Sequence, residues 1–125
     1  MAFVYHSSGF GTVTDTETGV TIEPSSEFHD LGPNDPAAFT YMGRGFDFDF
    51  FVTLTTETRT ASIGGKTKER QVTVAASVSE RELRMSIDRT VFEAVKSDIR
   101  QGIQELETKG GEDLPWIQEF RFRFT

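Results

Sequence analysis

The clearest pattern in the chain is an alternation of apolar and polar positions from Phe46 to Thr56, reading Phe-Asp-Phe-Asp-Phe-Phe-Val-Thr-Leu-Thr-Thr. A period of two puts Phe46, Phe48, Phe50, Val52 and Leu54 on one face of a strand, with Asp47, Asp49, Phe51, Thr53 and Thr55 on the other. Gln71 to Val78 repeats the alternation, and the polar stretch around Gly64-Gly65 predicts a hairpin tip that pairs the two segments antiparallel. Shorter alternations predict strands at Phe3-Val4-Tyr5, Thr12-Val13-Thr14 and Val20-Thr21-Ile22. The last two are joined by Glu17-Thr18-Gly19, where Gly supplies the positive φ of a tight turn. From Ile117 to Thr125, Phe120, Phe122 and Phe124 alternate with Arg121 and Arg123. Set beside the Phe-Asp strand, this one is complementary: Phe stacks on one face, and Asp47 and Asp49 meet Arg121 and Arg123 on the other, predicting an antiparallel pair.

Residues 79 to 109 are decided by angles. Ser79-Glu-Arg-Glu82 has the form of a capping box and could open one long helix. At about 100° per residue, Val91, Phe92, Val95, Ile99, Ile103 and Leu106 share a stripe roughly 120° wide, and Leu83 falls outside it. Leu83, Met85 and Ile87 alternate by two, which predicts a strand over residues 82 to 87. A second capping box, Thr-Val-Phe-Glu93, then starts an amphipathic helix near Thr90 that ends at Lys109, before Gly110-Gly111. Its predicted wet face carries Lys96, Arg100 and Glu107.

Between Pro24 and Gly45 the alternation gives way to Pro, Gly, Ser and acidic residues. This predicts an irregular acidic loop, with one helical turn from Asp35-Pro36 through Ala38. A loop of that length in a compact domain is a place to look for a binding surface. The resulting order is βββ-βββ-α-β: a single α+β domain over residues 1–125, its mainly antiparallel sheet packed on one long amphipathic helix.

Charge sharpens the picture. The net charge is -7, and residues 1 to 58 hold nine acids against the single base Arg44, while residues 59 to 125 are nearly balanced, with a basic cluster at Lys66, Lys68 and Arg70. An acidic field attracts a basic partner and repels nucleic-acid backbones and anionic lipid. The chain has no Cys, so disulfide and thiolate chemistry are excluded. No apolar run approaches the roughly 20 residues of a membrane span, and the N-terminus lacks the form of a signal peptide. A cytoplasmic protein without membrane contact is expected.

Catalytic and cofactor motifs fail one by one. Gly64-Gly65-Lys66-Thr67 resembles a phosphate loop only in part, because Thr60 stands where its first Gly belongs and a strand follows in place of a helix. Arg44-Gly45-Phe46-Asp47-Phe48 echoes an RNA-stacking strand, but Asp47 and Asp49 would repel phosphate. His6 and His29 have no zinc-ligand spacing, although His29 could join Glu27, Asp30 or Asp35 on a cation. Ser7, Ser25 or Ser26 with His29 and Asp30 lacks the geometry of a nucleophile triad. Asp47 and Asp49 have glycosidase-like spacing, yet two Arg beside them would lower their pKa where catalysis needs one raised. No cofactor and no metal is expected.

What remains is a non-enzymatic protein-interaction module that uses its acidic N-terminal half to bind a protein partner with a basic surface. Glu27, Asp30 and Asp35 form the charged rim, with Phe28, Leu31, Phe39, Tyr41 and Met42 as apolar anchors. The alternative is a small-molecule-binding protein or small enzyme with a Phe-lined pocket between sheet and helix.

Overall fold

A computed structural model describes residues 3–5, 11–25, 36–108 and 120–125. They form β1 (Phe3–Tyr5), β2 (Val13–Asp15), β3 (Thr21–Pro24), β4 (Pro36–Gly43), β5 (Phe46–Ile63), β6 (Lys66–Val78), α1 (Glu80–Ser86), α2 (Phe92–Thr108) and β7 (Arg121–Phe124). The fold is α+β. The strands make one sheet in chain order, each antiparallel to the next except β7, which runs parallel to β6. Because α2 touches both edge strands, β1 and β7, as well as β2 and β3, the sheet curls round the helix.

Alternation sets the inner face. Val13, Ile22, Phe39, Tyr41, Phe50, Val52, Leu54, Ala76, Val78 and Phe122 are buried against Phe92, Val95, Ile99, Ile103 and Leu106 of α2. Gly102 lets the helix come close: a Cβ there would collide with Cδ1 of Ile22. Lys96 and Arg100, expected in water, instead lay their stems along the core edge, with Lys96 Nζ 5.1 Å and the Arg100 guanidinium 5.1 Å from the Phe124 ring centre.

Three expectations are corrected. First, Pro36–Gly43 is a strand rather than part of an irregular loop or a helical turn. Ala37, Phe39 and Tyr41 alternate inward, and Pro36 takes the first position, where a strand tolerates a missing N–H. Second, β5 and β7 are not neighbours. Strand β4 holds one edge of β5 and β6 the other, so β6 separates Asp47 and Asp49 from Arg121 and Arg123. Third, residues 80 to 86 are a helix, giving two helices in place of one long one. Ser79 Oγ accepts from Glu82 N at 3.3 Å, so the capping box outweighs the alternation, and Leu83 alone turns into the core. The two helices do not fuse. Ile87 is extended, and Asp88 Oδ1 accepts from Thr90 N at 2.9 Å, a turn that re-aims the chain so that the stripe of α2 meets the sheet.

Candidate interaction surface

Strand β5 outruns its sheet. Residues 46–53 pair with β4 and residues 53–63 with β6, while β6 meets β7 only at residues 75–78. Beyond the register shift at Thr55/Thr56, where Val74 is the extra residue of a bulge, residues 56–63 and 66–73 pair only with each other among the described residues. The result is a two-stranded arm about 27 Å long at about 3.4 Å per residue. Its tip is a two-residue turn in which Gly64 (φ 60°) and Gly65 (φ 77°) both take the left-handed conformation that such hairpins require.

Register divides the arm into two unlike faces. Residues paired across strands share a face, so Thr56 with Thr73, Thr60 with Glu69 and Ser62 with Thr67 form a hydroxyl-rich side. On the opposite side stand Glu57, Arg59, Ala61 with Lys68, and Ile63 with Lys66, and Arg70 occupies the register position across from Arg59. Arg59 Nη2 lies 3.0 Å from Glu57 Oε2. Lys66 and Lys68 are exposed and have no acidic partner among the described residues.

The cationic side continues the outer, convex face of β5, which begins acidic. Asp47 and Asp49 are exposed there, with Thr40 Oγ1 donating to Asp49 Oδ1 at 2.6 Å and Glu23 next in the same cross-strand row. Met42 stands half-buried across from Asp47. Phe51 follows, 64% exposed, a large apolar side chain between the acidic and basic stretches.

Behind this face lies a buried polar knot. The Tyr41 hydroxyl donates to Asp98 Oδ2 at 2.8 Å, and Arg44 donates through Nε to Oδ2 and through Nη2 to Oδ1, the latter at 3.1 Å. Asp98 and Tyr41 are fully buried, and Arg44 is carried on the β4–β5 turn at φ 52°. Burial pushes the Tyr41 phenol well above its usual range, and the hydrogen bond to Asp98 pushes it further. The bond to Asp98 likewise holds the Arg44 proton more tightly than usual. The carboxylate accepts from the phenol and from two nitrogens of the guanidinium, so the knot ties helix to sheet. Buried side chains of α2 and the sheet pack into one cluster. Two hollows lie outside it: one of about 180 Å³ beside Phe51, Glu82 and Ser86, and an open groove of about 610 Å³ at the helix corner formed by Arg84, Met85, Arg89, Phe92 and Glu93.

Of the residues expected to bind a partner, Glu27, Phe28, Asp30, Leu31 and Asp35 lie outside the described residues, as do His6 and His29. Phe39 and Tyr41 are fully buried strand residues, because the segment read as a loop is β4; they hold the core and offer no surface. Met42 faces outward. The sequence reading missed the arm, which extended alternation through Arg59, Ala61 and Ile63 would have revealed, and the Tyr41–Asp98–Arg44 knot, whose members are 54 and 57 residues apart. No group of three or more His, Cys, Asp or Glu among the described residues could hold a metal, and no described helix is long and apolar enough to cross a membrane. No protein-family model, curated protein or solved structure matches the chain.

Proposed function

We propose that the chain is a non-enzymatic, cytoplasmic protein-interaction module that binds a protein partner through the outer face of its sheet and the β5–β6 arm. The acidic N-terminal half supplies one pole of that surface, through Glu23, Asp47 and Asp49, and the arm supplies the other. The arm is the observation that carries this reading. Joining β5 to β6 takes only two turn residues, yet each strand runs eight residues past the bulge, and residues 62–69 at its far end are exposed. A two-stranded ribbon is marginal in water by itself, and its exposed faces are what a partner's side chains can cover. The alternative, a ligand pocket between sheet and helix, is favoured less, because buried side chains of α2 and the sheet pack against one another there.

The test shortens the arm by replacing residues 59–70 with Asn-Gly and compares it with the full chain as bait in the source cells. Expected are an unchanged thermal transition and loss of every protein that co-purifies stoichiometrically with the full chain. Retention of those proteins by the shortened chain would overturn the reading.

A further inference from the structure

The outer face of β5 is charge-complementary to itself. Its outward residues run Asp47, Asp49, Phe51, Thr53, Thr55, Glu57, Arg59, Ala61 and Ile63, with Lys68 beside Ala61 and Lys66 beside Ile63. Reversing that row about Thr55 sets Asp47 over Ile63 and Lys66, Asp49 over Ala61 and Lys68, and Phe51 over Arg59. Asp47 and Asp49 each meet a basic residue, Glu57 falls over Thr53 and keeps its pair with Arg59, and Phe51, 64% exposed, meets a guanidinium. From these juxtapositions we infer that the partner of this surface is a second copy of the chain, seated outer face to outer face with the two β5 strands antiparallel about a two-fold axis near Thr55. This rests on the interaction-module reading and specifies its occupant.

Size fits the assignment. The row from Asp47 to Ile63 is about 54 Å long and about 10 Å wide across two strands, which offers roughly 500 Å² per copy and about 1,000 Å² in all, the lower end for a specific interface. Such a pairing is isologous, the commonest symmetry of self-association, because one patch serves both copies. Few apolar side chains take part, Phe51 foremost, so attraction is mainly electrostatic and the dimer is reversible and salt-sensitive. Nucleic acid fits less well. A phosphate backbone drawn to Lys66 and Lys68 meets Asp47, Asp49 and Glu23 on the same face.

Sedimentation equilibrium of the full chain tests the assignment. At about 0.05 M salt the wild type forms a dimer of twice its 14.0 kDa mass, and at about 0.5 M salt it dissociates. Two variants reverse one pole each: Asp47→Lys with Asp49→Lys, and Lys66→Glu with Lys68→Glu. Each alone places like charges in contact and weakens the dimer more than about 100-fold, with an unchanged thermal transition because the residues are exposed. Mixed together, the two variants restore opposite charges at both ends and form a one-to-one heterodimer, and the quadruple variant forms a homodimer. A closed heterodimer supports the two-fold arrangement; alternating open polymers from the mixture would overturn it. A wild type that stays monomeric at low salt while still retaining other host proteins through its arm would overturn the second-copy assignment and leave the module reading intact. Tight binding of a short DNA duplex, abolished by Lys66→Glu with Lys68→Glu in a monomeric protein, would also overturn it.

Discussion

Substituting Asp98 by Ala removes three hydrogen bonds at once and exposes how much of the fold depends on the polar knot. The Tyr41 hydroxyl stays buried with no acceptor, a loss of about 1–3 kcal/mol. The Arg44 guanidinium loses a charge-assisted pair, but its side chain is 31% exposed and can turn to water, so the 3–5 kcal/mol typical of breaking a buried ion pair is an upper bound of about 5. A net destabilisation of about 3 kcal/mol follows, a large part of the roughly 5–15 available to a domain of this size. It should lower Tm by about 10 °C. Urea unfolding of the wild type, Tyr41→Phe, Asp98→Ala and the double variant measures it as shifted midpoints at constant slope. Tyr41→Phe should cost about 1 kcal/mol, and the cycle should show coupling of at least about 1 kcal/mol, because the two groups share one bond. An Asp98→Ala protein within about 0.5 kcal/mol of the wild type, or additive single effects, would refute the claim that the knot clamps α2 to the sheet.

Gly102→Ala gains about 1 kcal/mol of helix propensity, but drives a methyl into fully buried Ile22, an overpacking that costs about 1–3 kcal/mol; Ile22→Val, which deletes the Cδ1 in the way, should recover most of the loss in the double variant, and thermal melts of the four proteins check it. The raised pKa of Tyr41 means that the folded state keeps the phenolic proton longer than the unfolded chain, so its contribution is present below about pH 10 and is lost as pH rises above it. The wild type should therefore lose its stability advantage over Tyr41→Phe between neutral and strongly alkaline pH, and a difference in Tm independent of pH would contradict this.

Much of the body of the fold was legible because alternation reports a half-buried strand directly. Phe46 to Leu54 and Val74 to Val78 bury the faces that their spacing assigned, and Val95, Ile99, Ile103 and Leu106 bury the helical stripe. What escaped the sequence depends on context. Residues 36–43 begin with Pro and two Ala, end on Gly, and become a strand between β3 and β5. Leu83, Met85 and Ile87 carry a strand period, but Met85 ends 80% exposed because the local cap at Ser79 favours a helical turn there. The Phe-Asp and Phe-Arg strands match in charge without being adjacent, since complementarity cannot reveal that β6 takes the place between them. The candidate surface was half legible: acidity pointed to the N-terminal half, and alternation continued past Thr56 would have extended the strand, whereas the different chemistry of the arm's two faces follows from its pairing register.

Site-specific photo-crosslinking in the source cells is the most direct test of the claim that the outer face and arm bind a protein. A photoreactive residue is placed singly at Phe51, on the outer face, at Ala61, on the cationic side of the arm, and at Ser97, exposed on α2. A discrete adduct is expected from Phe51 and from Ala61, of about 28 kDa if the partner is a second 14.0 kDa copy, and none from Ser97. Adducts from Ser97 with none from Phe51 and Ala61 would place the interface on the helix side and overturn the claim.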